Sequence, residues 1–204
     1  MTQTSPFRNR EQKQQEREAK RQAVLRAAVR IFNERGFHGT SLDDVAHSLG
    51  VSKPTIYHYL GNKEQVLLHC VTRGLDQLME AAGEARLESG LGIDRLRMFL
   101  RRYAEINMDD FGRCVILTAE ESLSAEGRQE FRLLKRRVND ALQDMIEKAI
   151  ADGSMIACNP RLLSYTVAGA LNSPARWFST DGPSTATQIA SEMVDLLTFG
   201  FAPR

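Results

Sequence analysis

Apolar residues recur along this chain at spacings of three and four. No convincing stretch alternates with the period of two that a half-buried strand requires. Val24, Leu25, Ala28, Ile31 and Phe32 predict a helix from about Glu11 to Arg35, ended by Gly36. Leu42, Val45, Ala46 and Leu49 give a narrow stripe on a short second helix, and Ile56 with Leu60 at i and i+4 gives a third. Val66, Leu67, Val71, Leu75, Leu78 and Met79 run down a long helix, Glu64 to about Glu88. Leu96, Phe99, Leu100 and Tyr103 predict a helix over Ile93–Asn107; a break is expected at Phe111-Gly112, then a short helix over Arg113–Glu120. Phe131, Leu134, Val138, Leu142, Met145, Ile146 and Ile150 mark Ser124–Asp152. Asn159-Pro160, a cap followed by a first-turn proline, opens a helix to about Ser179 that Pro174 should kink. The last helix begins at Pro183 or Ser184 and carries Ile189, Met193, Leu196 and Leu197. The expectation is an all-α chain of about nine helices.

The second and third stripes are punctuated in a particular way. Thr40 with Asp43 three residues on has the spacing of an N-terminal capping box. Gly50 stands where a left-handed C-terminal cap needs a residue without a side chain, and Val51 can plug the angle between the helices. Ser52 can cap the next helix, whose first turn holds Pro54. Together these make a helix-turn-helix. Lys53, Thr55, Tyr57, His58 and Tyr59 then point away from the buried side. Lys53 can donate to guanine O6 and N7, Thr55 can touch a base edge and Pro54 can pack on a thymine methyl. Tyr57, His58, Tyr59 and Lys63 offer hydrogen bonds to phosphates, which set register without reading sequence. Thr40, Ser41 and Ser52, at the helix starts, complete the candidate DNA-contact set. The competing reading is that two Tyr and a His decorate an amphipathic helix packed on a neighbour.

These residues carry a resemblance. TSLDDVAHSLGVSKPTIYHYLGNKEQVL resembles the DNA-binding module of the tetracycline-repressor (TetR) family of bacterial regulators, and VLRAAVRIFNERGFHGTS is similar to that family's first helix. The resemblance covers about residues 20–70. Many members have Gly or Ala at the place of Pro54, a Phe is usual where Leu60 stands, and Asp43 stands where some carry a basic DNA contact.

Charge agrees with DNA contact at one end. Residues 1–70 hold eleven Lys/Arg against seven Asp/Glu, a balance of +4, and the rest holds sixteen against nineteen, or −3. Residues 1–10 are expected to be a disordered basic arm, with Arg8 and Arg10 placed to follow a duplex. Lys13, Arg17, Lys20 and Arg21 read either as more of that arm or as a solvated helix face with i,i+4 ion pairs. The helix-turn-helix domain is assigned to residues 11–62 and an effector-binding and dimerisation domain to 63–204. Cys70, Cys114 and Cys158 are far apart in sequence, with no metal-ligand spacing, and fit a reducing cytosol. No apolar run approaches the ~18 residues of a membrane span, so a cytoplasmic protein with no membrane partner is expected. No cofactor or metal is expected.

What the resemblance implies for the body is a pocket and a dimer. Phe99, Tyr103, Met108, Phe111, Leu117, Phe131, Leu134, Arg176 and Trp177 are the candidates to line an effector pocket. Each on its own is more often core than pocket, and the competing reading of Arg176 and Trp177 is a solvent-facing Arg beside a Trp of the dimer seam. Leu163, Val167 and Leu171 on one helix, with Ile189, Met193 and Leu196 on the next, are the candidates for a four-helix interface in a homodimer; a monomer that buries both stripes internally is the alternative. The implied function is a ligand-responsive regulator that represses by holding a palindromic double-stranded operator and releases it on binding a small apolar or amphipathic effector, an acyl-CoA or an aromatic compound. Two other classes compete: a DNA-organising protein without a ligand, against which stands a body rich in apolar stripes, and an enzyme. No nucleophile elbow, phosphate-binding Gly loop or HExxH is present, and Glu120-Glu121, adjacent on a helix, point about 100° apart.

Overall fold

The computed structural model describes residues 10–200, and among these there are helices and loops without a strand. The helices are α1 Arg10–Arg35, α2 Leu42–Ser48, α3 Lys53–Leu60, α4 Lys63–Leu87, α5 Gly92–Met108, α6 Asp110–Leu117, α7 Ala125–Ala151, α8 Pro160–Asn172, α9 Pro174–Trp177 and α10 Ala186–Phe199. Nine of these have seven residues or more, as the apolar periodicity predicts; α9 is a single turn, and a 3-10 turn spans Glu120–Ser122. The arm expected over residues 1–10, Arg8 included, lies outside the described residues, apart from Arg10, which opens α1.

Three expected boundaries are corrected by capping and packing. Phe111-Gly112 is not a break. The Asp109 carboxylate accepts from the N–H groups of Phe111 and Gly112, both at 2.9 Å, so α6 starts at Asp110. A side chain at Gly112 would collide with the Ile106 carbonyl, so this glycine serves close backbone approach rather than flexibility. Pro174 does more than kink its helix: α8 stops at Asn172 and Pro174 opens the separate α9, after which Phe178 is extended. The last helix starts at Ala186, because Thr185 and Gln188 form its capping box: the Thr185 N–H donates to Gln188 Oε1 at 2.8 Å and the Gln188 N–H to Thr185 Oγ1 at 3.2 Å.

The chain forms two compact units that meet between His69 and Cys70, within α4 and seven residues beyond the expected boundary. The opening of α4 belongs to the first unit for a visible reason. The Lys63 ammonium lies 4.2 Å above the Phe37 ring, and the Arg21 guanidinium stands 3.5 Å from His69 Nδ1. In this unit α1, α2 and α3 pack pairwise around Val29, Val45 and Ile56, each 0% exposed. In the second unit α5 packs against α6, α7, α8, α9 and α10. Phe99, Phe131, Ile146 and Leu171 are wholly buried there, each stabilising the fold by about 1.5–3 kcal/mol on a transfer scale.

Candidate functional site

The first unit presents α3 as an exposed helix on a buried footing. Ile56 and Leu60 anchor it, while Lys53, Pro54, Tyr57 and His58 are exposed and Thr55, Tyr59 and Lys63 half-buried. The turn before it is built as expected around Gly50, at φ +63°, with the Val51 N–H donating to the Ala46 carbonyl at 3.0 Å; Val51 itself stays 38% exposed instead of filling the angle. The capping box before α2 is shifted by one residue. Ser41 is the cap: its N–H and hydroxyl both donate to Asp44 Oδ2 at 2.7 Å, and its oxygen accepts from the Asp44 N–H at 3.2 Å. Those bonds hold the Asp44 carboxyl below its usual range. Thr40 is 4% exposed and donates to the Gly36 carbonyl at 2.9 Å, so it braces the exit of α1 and is not available to DNA. The Ser52 hydroxyl shares a 2.9 Å hydrogen bond with Thr55 and makes no cap bond.

One feature of this face was not assigned from sequence, and another was left between two readings. Asp43, freed from the capping role, forms a 2.6 Å ion pair with Lys53 that raises the lysine pKa. Lys13, Arg17 and Arg21, at i, i+4 and i+8 on α1, line one groove together with Gln14 and Glu18 of the same helix and Tyr59 of α3, and Glu18 pairs with Arg21 at 3.3 Å, the ion pair expected of a solvated helix face. The four-residue spacing puts all three on one helix face, while Lys20, the fourth cation of the run, does not line the groove. Three cations against one carboxylate leave the groove net positive beside the exposed helix.

The second unit contains an apolar cavity of about 190 Å³. Leu75 and Leu78 of α4, Tyr103 of α5, Val115 and Ile116 of α6, Lys135, Val138, Asn139 and Leu142 of α7, and Tyr165, Ala168 and Asn172 of α8 line it. Of the nine residues expected in a pocket only Tyr103 is among them. Phe99, Met108 and Phe131 are core: Phe99 and Phe131 are 0% exposed, and Phe99 meets Tyr103 edge-on at 5.9 Å. Phe111, Leu117 and Leu134 are half-buried elsewhere. Arg176 and Trp177 are on the surface; Trp177 is 55% exposed, with its indole N–H 3.4 Å from Ser173 Oγ. Periodicity finds the inward face of a helix but cannot say which inward residues leave a gap.

The cavity has one polar corner. The Tyr103 hydroxyl donates to Asn172 Oδ1 at 3.1 Å, and Asn107 Nδ2 donates to the same oxygen at 2.9 Å and to the Leu171 carbonyl at 3.2 Å. Burial pushes the Tyr103 pKa up to about 12, so its hydroxyl remains a donor at any physiological pH. Lys135 is held at the wall by Glu120, which also binds Arg132 at 2.6 Å; the lysine bond leads in keeping the Glu120 pKa low. Glu120 is thus committed to cations and shares no site with Glu121. Cys70 and Cys114 come into hydrogen-bond contact in the core, where burial pushes the Cys70 thiol well up; Cys158 is exposed.

The expected interface residues divide. Val167 and Leu171 are 4% and 0% exposed within this one chain, so the stripe Leu163–Val167–Leu171 faces the chain's own core, while Ile189 and Met193 are half-buried. Of the expected six only Leu196 is exposed, at 55%; beside it α8 and α10 expose Leu162 at 65%, Tyr165 at 55%, Phe199 at 48% and Leu197 at 36%. Two-sided apolar helices give two stripes, and choosing between them needed the fold. No helix among the described residues is long and apolar enough to cross a membrane.

Comparison with known proteins places both units. Residues 24–70 match the profile of bacterial regulatory proteins of the tetR family, and residues 89–201 that of the tetracyclin repressor-like C-terminal domain. The HTH-type transcriptional activator FasR of Mycolicibacterium smegmatis is 25% identical over 169 residues, 82% of this chain and 76% of its own. Among solved structures, the TetR family transcriptional regulator PfmR from Thermus thermophilus superposes with a TM-score of 0.80 at 30% identity, over 88% of this chain and 99% of its own. AibR, solved in complex with isovaleryl coenzyme A and operator DNA, superposes with a TM-score of 0.76 at 27% identity, over 89% and 99%.

Proposed function

This chain belongs to the tetracycline-repressor family of transcriptional regulators and is a DNA-binding regulator rather than an enzyme, and from that premise we propose that it is a cytoplasmic homodimer that leaves a palindromic operator when an amphipathic ligand fills its second unit. The observation that carries this reading is the exposed polar face of α3, set on a buried Ile56–Leu60 footing and flanked by the net-positive groove of Lys13, Arg17, Glu18 and Arg21. A lone helix of eight residues reads too few base pairs, so two copies about one duplex turn apart, ~34–36 Å, are required. The exposed Leu162, Tyr165, Leu196 and Phe199 are the apolar surface such a dimer would cover.

The effector follows from the cavity's chemistry. Its 190 Å³ is a little more than the ~150 Å³ that admits a benzene ring, so the buried part of the ligand is a short or branched acyl chain or one aromatic ring. Tyr103, with Asn139 and Asn172 beside it, would orient a carbonyl, and Lys135 would face an anionic remainder. A short acyl-CoA thioester has that layout, and AibR supplies the precedent of a relative with isovaleryl coenzyme A. Leu75 and Leu78 line the cavity from the helix that begins at Lys63, so a ligand pressing on them acts on the element leading to the DNA-binding unit. A ligand shifts that equilibrium only by its differential affinity for the two states. The test is a mobility shift on the DNA flanking the chain's own gene, repeated with a panel of short acyl-CoA thioesters and the free acids. Release by one of them supports the reading; binding that no ligand alters leaves a DNA-organising protein.

A further inference from the structure

Asp43 is the anomaly of the DNA-facing surface. It lies on α2, is 60% exposed at its side chain and is bonded to the Lys53 ammonium, itself 47% exposed, at 2.6 Å. An exposed ion pair contributes little to stability. A carboxylate turned towards a polyanion also weakens binding unless it meets a donor. Capping does not account for it either, because Ser41 and Asp44 form the cap of α2. What the geometry does offer is an acceptor and a donor side by side, at the N-terminal end of α3, the end of a recognition helix that meets base edges.

We propose that Asp43 and Lys53 read one C·G base pair jointly, the Asp43 carboxylate accepting from cytosine N4 while the Lys53 ammonium donates to guanine O6 and N7. This rests on α3 being the recognition helix. In the major groove the cytosine amino group and guanine O6 are hydrogen-bonded to each other, about 2.9 Å apart, so a donor–acceptor pair on the base pair faces an acceptor–donor pair of nearly the same spacing on the protein. An A·T pair fits less well. Adenine N6 suits Asp43, but thymine O4 gives Lys53 a single acceptor, with a methyl beside it. The reversed G·C pair sets the carboxylate against O6 and N7, a repulsion that excludes it. The aspartate therefore fixes which strand carries the cytosine, which a lysine on its own leaves open.

The test begins with selection of sites from a random duplex library by the full-length wild type, followed by anisotropy on every single base-pair change in the selected half-site. The expected result is one C·G position per half-site whose replacement costs on the order of tenfold to a hundredfold. Asp43→Ala should bring C·G and G·C to within about threefold of each other at that position, with Lys53 still favouring a guanine on either strand, and leave the other positions as they were. Asp43→Asn should move the preferred pair towards A·T, since an amide pairs with adenine N6 and N7. Both substitutions are on an exposed side chain, and circular dichroism confirms the fold. A single affinity change common to all sequences in Asp43→Ala, or a selected half-site without an invariant C·G pair, overturns the joint reading. A wild type that selects no sequence at all overturns the assignment of α3 instead.

Discussion

Replacing Lys63 with alanine should flatten the salt dependence of operator binding. Its ammonium sits 4.2 Å above the Phe37 ring, which fixes the head of α4's first residue in place, next after α3 in the chain. If each copy places it on one phosphate, a dimer loses two contacts in the variant. Each phosphate contact contributes about 0.9 to the slope of log K against log salt, so the slope should fall by about 1.8. Between 50 and 200 mM salt, a fourfold change, the wild type should then lose about twelvefold more affinity than Lys63→Ala. Fluorescence anisotropy on one operator duplex at four salt concentrations measures this, with Lys63→Arg as the control that keeps the slope. The lost cation–π contact costs about 1–2 kcal/mol at a half-buried site, a loss circular dichroism can show the fold survives. Equal slopes for wild type and Lys63→Ala would refute the phosphate contact.

Three further outcomes follow from the second unit. Leu162→Glu or Leu196→Glu should give folded monomers by sedimentation, because each puts a charge on exposed apolar surface; Leu171→Glu, at a position 0% exposed, should unfold the chain, and intact dimers for both surface variants would move the interface elsewhere. Ala168→Phe should fill the cavity, leaving operator affinity within about twofold but removing the response to an acyl-CoA; an unchanged response would place the ligand outside it. Tyr103 is raised to about 12 when folded against about 10 unfolded, so the stability it contributes is complete below pH 10 and lost as pH rises through 12. Urea melts should show about 1.4 kcal/mol of that loss by pH 11, and Tyr103→Phe should show none of it.

The helix-turn-helix was legible because its signals are local. Gly50, Pro54 and the Ile56–Leu60 pair each specify backbone or burial within a few residues, and each stands where expected. Thr40 and Ser41 compete for the same cap, and the choice depends on a buried hydrogen bond to Gly36 that spacing cannot reveal. In the body, helix periodicity separates inside from outside but is silent on partners. It could not separate Leu171, packed in its own chain, from Leu162, left bare, nor Phe99 in close-packed core from Leu75 at a void. Gly112 shows the same limit: a glycine for close approach reads in sequence like a glycine for a break. The Asp43–Lys53 pair joins two helices across ten positions, and only the turn geometry brings them together.

If DNA and ligand compete through one molecule, their effects on each other must be reciprocal. Operator affinity is measured with and without an acyl-CoA thioester that raises the melting temperature, and affinity for that thioester with and without operator. Each is expected to weaken the other by the same factor, as linkage between two binding equilibria demands. A thioester that binds the operator complex as tightly as the free protein would contradict it.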